Sequence, residues 1–283
     1  MATIIDGKKI SQEIKDEVKN EIATLRAKGY EGTLAVIQVG DDPASSVYVR
    51  NKKRACEYVG LHSLSYEKDA SMTQEELLAL IKELNQNDTV DGILVQLPLP
   101  SHIDEDAVIN AISPAKDVDG FHVNSVGAMV VGTEGFLPCT PAGIIQLLRR
   151  SNISMDGANC VVVGRSNIVG KPMAILMLRE NATVTVAHSH TKNLKEICKE
   201  ADILIVGIGQ KEFIGKEYVK EGAVVIDVGI HRDENNKLHG DVNFAEVEPI
   251  ASHITPVPGG VGPMTIAMLM YNCLVSLKKR VGE

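Results

Sequence analysis

The stretch Val161-Val-Val-Gly164-Arg-Ser-Asn-Ile-Val-Gly170-Lys-Pro172 carries a β-branched run into a glycine turn and on toward a helix. Such a handover leaves backbone N–H groups at the positive end of a helix dipole, where a dinucleotide pyrophosphate can sit. The match to the dinucleotide fingerprint is partial, with Ser166 in place of the second glycine and Gly170 one residue late. Taken alone, these residues are a weak signal and read also as a tight structural turn. Their surroundings decide. Cys160-Val-Val-Val163, Thr183-Val-Thr-Val186, Ile203-Leu-Ile-Val206 and Ala223-Val-Val-Ile226 begin roughly 20 residues apart, with helical patterns between them. Short apolar runs alternating with helices predict a parallel sheet covered on both faces.

Upstream, Ile10, Ile14, Val18, Ile22 and Leu25 recur at helical spacing, which predicts an amphipathic helix ending near Gly29. Thr33–Val39 reads as a strand, and Asp42-Pro43 opens a helix that runs toward Gly60. Thr73-Gln-Glu-Glu76 is a capping box before Leu77, Leu80, Ile81 and Leu84. Gly92–Leu97 is a second buried strand, stopped by Pro98 and Pro100. Downstream, Thr140-Pro141 caps a helix through Leu148, and a last helical pattern runs from about Thr265 to Lys279. The expected fold class is α/β, with two α/β domains, the second a Rossmann-like doubly wound parallel sheet. Gly and polar residues thicken between 120 and 140, so the domains are drawn as 1–121 and 122–283. The last helix, about 265–281, is a candidate to return to the first domain.

A chain of 283 residues suits two domains or one large one. Its 29 Lys+Arg against 37 Asp+Glu give a formal charge of -8, which argues against nucleic acid or a membrane surface as partner. With no Trp, four Phe and six Tyr, it lacks the aromatics of a base-stacking platform. The N-terminus shows no signal-peptide pattern, and no membrane-length apolar run is expected. Cys56, Cys139, Cys160, Cys198 and Cys273 are scattered, with no CxxC pair, so neither a metal site nor a disulfide framework is expected. A reducing cytoplasm fits this usage.

Cofactor choice turns on the end of the second strand. NAD-binding folds place an acidic residue about 20 residues beyond the first glycine, to hold the ribose 2′-hydroxyl. Here Ala187-His188-Ser189-His190 stands in that place, without a carboxylate. Ser189 can donate to a 2′-phosphate and Arg165 can pair with it, so the expected cofactor is NADP.

In the first half, Ser45, Tyr48 and Lys52 share one helix face, as residues three and four apart do. A solvated surface lysine is the plain alternative for Lys52. Gln96 stands among apolar neighbours and needs a polar partner, whether backbone or side chain. Asp119 precedes a glycine in Lys116-Asp-Val-Asp-Gly120, which reads also as an ordinary Asx turn. Thr255-Pro-Val-Pro-Gly-Gly-Val-Gly-Pro-Met264 is rigid and small at once, either a ligand-lining loop or a turn into the last helix.

These strings resemble one family over essentially the whole chain. Tyr48-Val-x-x-Lys52, Val95-Gln-Leu-Pro-Leu-Pro100, Lys116-Asp-Val-Asp-Gly120, Val163-Gly-Arg-Ser-x-Ile-Val-Gly170 and Ile254-Thr-Pro-Val-Pro-Gly-Gly-Val-Gly-Pro-Met-Thr265 are similar to those of bifunctional methylenetetrahydrofolate dehydrogenase/cyclohydrolases. The resemblance implies a folate-binding catalytic domain, an NADP-binding domain and a cleft between them. It implies oxidation of 5,10-methylenetetrahydrofolate with NADP, then hydrolysis of the methenyl cation to 10-formyltetrahydrofolate, in one-carbon metabolism. Carried over, Lys52 is the essential lysine, Gln96 its hydrogen-bond partner, Tyr48 the folate-stacking ring and Asp119 the carboxylate on the pterin edge. Ser45 is a supporting donor, Val95 and Leu97 flank the substrate, and Pro258, Gly259, Gly260, Val261 and Gly262 line its side of the cleft. Gly164, Arg165, Ser166, Ser189 and Ile230 contact the dinucleotide, and no metal is implied. A cytoplasmic homodimer acting on tetrahydrofolate one-carbon derivatives follows from the same likeness. Two rivals stay open: a dehydrogenase with weak or absent cyclohydrolase activity, and a non-catalytic dinucleotide sensor.

Overall fold

The computed structural model describes the backbone of residues 1–283 and the side chains of all but residues 43–45. In chain order its elements are β1 (Thr3–Ile4), α1 (Gly7–Ala27), β2 (Thr33–Val39), α2 (Pro43–Val59), β3 (His62–Lys68), α3 (Gln74–Gln86), β4 (Gly92–Val95), α4 (Glu105–Ala111), α5 (Val123–Val131) and α6 (Cys139–Arg150). There follow β5 (Asn159–Val163), α7 (Gly170–Arg179), β6 (Thr183–Ala187), α8 (Leu194–Lys199), β7 (Ile203–Val206), β8 (Val224–Asp227), β9 (His231–Arg232), β10 (Leu238–His239), α9 (Phe244–Val247), β11 (His253–Ile254) and α10 (Val261–Val281). They form two compact units, residues 12–139 with 266–283, and residues 1–11 with 140–265.

The first unit is built on the parallel sheet β3-β2-β4. β2 is central and buried along its whole length, which is why Leu34–Ile37 is an unbroken apolar run rather than an alternating one. Ile37, Leu77, Ile81, Leu84 and Ile93 are fully buried in this unit. The capping box forms as predicted: Thr73 Oγ1 accepts from Glu76 N at 3.2 Å, and Thr73 N donates to Glu76 Oε2 at 2.8 Å. β4 ends at Val95, two residues before the expected stop. Gln96 N still donates to Ile37 O at 2.8 Å, and Pro98 then offers no N–H with which to continue. β3 is an edge strand with a mostly exposed surface, whose weak signal (Leu64 and Tyr66 among polar residues) becomes a strand through its pairing with β2.

The second unit holds a six-stranded sheet in the order β1-β11-β8-β7-β5-β6, every pair parallel. β5 has β6 on one side and β7 on the other, so the strand order reverses at its C-terminal end, where Gly164 stands. Open α/β sheets bind ligands at such a switch point. The four expected runs are β5 to β8. β1 joins the far edge by pairing Thr3 with His253 and Ile4 with Ile254, which places the N-terminal residues in this unit.

The chain leaves the first unit at 139/140 rather than at 121/122. Residues 122–139 stay because the buried Asp117 carboxylate accepts from Phe121 N, His122 N and Ser125 Oγ, tying the start of α5 to the preceding turn. Two helix starts also differ from expectation. α6 begins at Cys139, so Thr140 lies inside it, its hydroxyl 2.8 Å from that of Thr265. α10 begins at Val261, so Val261 and Gly262 form helix rather than loop. Among the described residues α10 is the helix long and apolar enough to cross a membrane, yet most of it is buried within the protein, as befits a core helix. All five cysteines are unpaired and buried.

Candidate active site

In the first unit, α2 turns Lys52 inward until 8% of it remains exposed, which rules out the solvated-surface reading. Its Nζ donates to Gln96 Oε1 at 2.9 Å, and Gln96 Nε2 donates to Leu97 O at 2.7 Å. The two ends of the amide are thereby assigned, with the oxygen held for the lysine. Burial pushes the Lys52 ammonium below its ordinary value, against the opposing pull of Asp119, Cys139 and Cys56. Burial pushes the Asp119 carboxyl up, and Lys52 and the Cys139 thiol act against that shift. Lys52, Gln96 and Asp119 are therefore one electrostatic group. Val95 is buried and Leu97 is half-buried. Tyr48 remains 38% exposed, a ring available to a flat partner. The side chain of Ser45 lies outside those described.

The Asp119 turn depends on a glycine. Gly120 has φ +76°, and a Cβ there would lie 2.6 Å from Pro138 N, so no side chain fits.

The second unit carries the other predicted group. Gly164 has φ +129°, and a Cβ on it would lie 2.3 Å from Gly207 O; one on Gly170 would lie 2.3 Å from Gly164 O. The late glycine is thus the one that lets the helix start pack on the turn. Ser166 Oγ accepts from Val169 N at 3.2 Å and Gly170 N at 3.3 Å, so it caps the first turn of α7. Arg165 and Ser189 are exposed, and Ile230 is 46% exposed. Desolvation, then the charges of Arg165 and His190, push His188 below its ordinary value, which places the Arg165 cation near the end of β6. Pro258, Gly259, Gly260, Val261 and Gly262 belong to this unit, and a Cβ on Gly262 would lie 3.6 Å from Ile230 Cδ1.

Two features escaped the sequence reading. Gly7 opens α1 where a Cβ would fall 1.8 Å from Gly260 O, and Lys8 N donates to Gly259 O at 3.1 Å. Glycine is ordinary at the start of a helix, so nothing local marks Gly7. The other is a pair of buried carboxylates. Asp241 accepts from Ile208 N at 2.6 Å, Gly209 N at 3.1 Å and Gln210 N at 2.9 Å, with His231 Nε2 2.7 Å away. Asp227 accepts from the N–H groups of Gly229, Asp241 and Val242, each at 2.9 Å. Together they shape the loops after β7 and β8. Among the described residues no His/Cys/Asp/Glu group is arranged to hold a metal ion.

Burial pushes Asp227 up to about 6, with its three N–H donors opposing and Asp241 adding to the rise. A carboxyl whose folded pKa exceeds its unfolded value of 3.8 contributes stability below that value and loses it as pH rises through about 6. The expected loss over that window is about 3 kcal/mol. Urea unfolding of the wild type and Asp227→Asn at acidic and neutral pH checks this. The difference between the two must shrink as pH falls; a pH-independent difference removes the claim.

The comparisons agree on one family. Residues 5–119 match the model of the tetrahydrofolate dehydrogenase/cyclohydrolase catalytic domain, and residues 138–281 match that of its NAD(P)-binding domain. The chain is 71% identical over 279 residues to the bifunctional protein FolD of Agathobacter rectalis, covering 99% of this chain and 100% of that one. The crystal structure of the bifunctional enzyme FolD, methylenetetrahydrofolate dehydrogenase/cyclohydrolase, from Campylobacter jejuni is 51% identical, with a TM-score of 0.97 over 99% of this chain and 100% of that one. The Trypanosoma brucei methylenetetrahydrofolate dehydrogenase-cyclohydrolase, complexed with NADP cofactor and inhibitor, is 38% identical, with a TM-score of 0.95 over 100% of this chain and 99% of that one.

Proposed function

The chain belongs to the tetrahydrofolate dehydrogenase/cyclohydrolase family, and on that premise we propose how its residues divide the work of two reactions. The enzyme oxidises 5,10-methylenetetrahydrofolate to the 5,10-methenyl cation with NADP, then hydrolyses that cation to 10-formyltetrahydrofolate. The first step removes a hydride from the methylene carbon. The second adds water and releases one proton.

The buried Lys52–Gln96 hydrogen bond carries the proposal. An amine whose ammonium form is disfavoured by burial can accept a proton at a lower pH than a free lysine requires. Lys52 takes the proton that water loses as it adds to the methenyl carbon. A cationic substrate beside it disfavours the ammonium further. Gln96 fixes the direction of the lysine and leaves its remaining positions for the reacting group. Tyr48 stacks on the folate, and the Asp119 carboxylate accepts two parallel N–H bonds from the amino-pyrimidine edge. Val95 and Leu97 support that surface. Ser45 serves as a further donor, and Pro258, Gly259, Gly260, Val261 and Gly262 contribute a backbone that a ligand can approach closely.

Gly164 fits a dinucleotide-binding turn, because it stands at the switch point where a Cβ would meet Gly207 O and the chain passes on to the head of α7. When bound, NADP supplies the hydride acceptor. Gly164, Ser166 and Ile230 would hold its body, while Arg165 and Ser189 would meet the 2′-phosphate that a carboxylate would repel. Arg165→Ala is expected to raise the KM for NADP about tenfold or more, with little change for NAD. Initial rates with both cofactors measure it; equal losses for the two would remove Arg165 from that role.

The same proposal takes the enzyme to be cytoplasmic and homodimeric, with tetrahydrofolate derivatives as partners and neither nucleic acid nor membrane. The charge of -8 and the burial of α10 support it. Sedimentation tests the dimer. The pair of activities is tested by following methenyl absorbance with methylenetetrahydrofolate and NADP: it must rise with oxidation and then decay faster than the uncatalysed hydrolysis.

A further inference from the structure

Asn272 is a polar side chain on the buried face of α10, 4% exposed, between turns that carry Met268, Leu269, Cys273 and Leu277 into the core. An amide in such a place costs free energy unless its hydrogen bonds are made. They are made to two backbone strips. Nδ2 donates to Val118 O at 2.8 Å and to Leu137 O at 3.0 Å, and lies 3.6 Å from Cys139 Sγ. These strips meet where a Cβ on Gly120 would fall 2.6 Å from the carbonyl carbon of Leu137. Asp119 is the residue between Val118 and Gly120. The Val118 carbonyl also accepts from the Cys139 thiol at 3.4 Å. One turn further along α10, Ser276 Oγ reaches Asp91 O at 2.6 Å and Ala115 O at 3.1 Å, at the approach to the same segment. The neighbouring carboxylate, Asp117, is taken up by the start of α5. The backbone on both sides of Asp119 is therefore clamped, and Asn272, from a remote part of the sequence, is the side chain that ties the Val118 and Leu137 carbonyls together.

We propose that Asn272 is a positioning residue for the Asp119 carboxylate, setting its orientation toward the amino-pyrimidine edge of the folate. This rests on the reading of Asp119 as the folate-binding carboxylate. An amide that merely stabilised the core would, when removed, lower the melting temperature and leave the KM values alone. A positioning amide acts on one substrate, through one residue.

The experiment measures kcat, the KM for methylenetetrahydrofolate, the KM for NADP and the melting temperature in Asp119→Ala, Asn272→Ala and the double variant. Asp119→Ala is expected to raise the folate KM about a hundredfold, and Asn272→Ala about tenfold with the NADP KM unchanged. The double variant is expected to resemble Asp119→Ala within about twofold, since the clamp then has nothing to orient. Fully multiplied effects in the double variant, or an Asn272→Ala change confined to melting temperature, overturn the proposal. An unchanged folate KM in Asp119→Ala overturns the reading beneath it, and the two failures are thus separate. Should Asn272→Ala not fold, Asn272→Ser decides. Its hydroxyl has one hydrogen for two carbonyls, so a folate KM raised about threefold is expected, and a wild-type value overturns the proposal.

Discussion

Lys52→Met is expected to abolish methenyl hydrolysis, lowering its kcat by about a thousandfold or more. Methionine is close to lysine in length and unbranched, so it can fill the buried slot. What disappears is the amine. Without it, no proton acceptor is held beside the carbon that water attacks, and Gln96 Oε1 loses the donor now 2.9 Å away. Oxidation should suffer less, because hydride transfer depends mainly on positioning, but the displaced Gln96 will still slow it. The pH dependence has a definite sign. Burial lowers the Lys52 pKa from 10.5, so the neutral fraction rises with pH through a midpoint below that of a free lysine. Hydrolysis in the wild type should rise with it. Lys52→Arg, whose guanidinium does not deprotonate, should stay slow at every pH. Decay of methenyl absorbance across neutral pH reads all three proteins, and hydrolysis by Lys52→Met well above the uncatalysed rate would exclude Lys52 as the proton acceptor.

The second large effect falls on a residue with no chemistry. Gly7→Ala places a Cβ 1.8 Å from Gly260 O, a backbone atom that no rotamer change can move aside. Either the head of α1 or the Gly259–Gly260 segment must shift, and the bond from Lys8 N to Gly259 O stretches with it. The expected cost is about 2–4 kcal/mol, seen as a melting temperature lower by about 5–12 °C. The folate KM should rise as well, because the displaced segment is the one assigned to the substrate. Gly127→Ala is the control: its Cβ meets nothing within 4 Å and its position is helical, so it should be neutral or stabilising by about 0.5–1 kcal/mol. Calorimetry of the three proteins distinguishes a steric cause from a general dislike of alanine.

What could be read in advance follows from where the physical signal sits. β5, β7 and β8 are interior strands of a parallel sheet, so their apolar runs are written in the chain without reference to anything else, while β6, at the edge, is legible only through its β-branched run Thr183-Val-Thr-Val186. The Thr73 capping box is local over four residues and was equally legible. β1 and β11 are two residues long, too short for any period, and β3 offers only Leu64 and Tyr66 in alternation at an exposed edge. Lys52 and Gln96 could be singled out by type, but their bond joins residues 44 apart and only the fold shows it. Asn272 and Gly7 were beyond reach for the same reason. Their meaning lies wholly in backbone that the chain brings to them from far away.

The burial of the five cysteines has a practical side. Burial pushes the thiols of Cys56, Cys160 and Cys198 up to about 12, and those of Cys139 and Cys273 well above their ordinary range. Only thiolates react quickly with alkylating reagents, so the native protein should be almost inert to them. Reaction then becomes a clock for opening. Cys56, Cys139 and Cys273 belong to one compact unit, and Cys160 and Cys198 to the other. Brief alkylation followed by peptide mass analysis would time the unfolding of each half separately, with no added label and no altered residue.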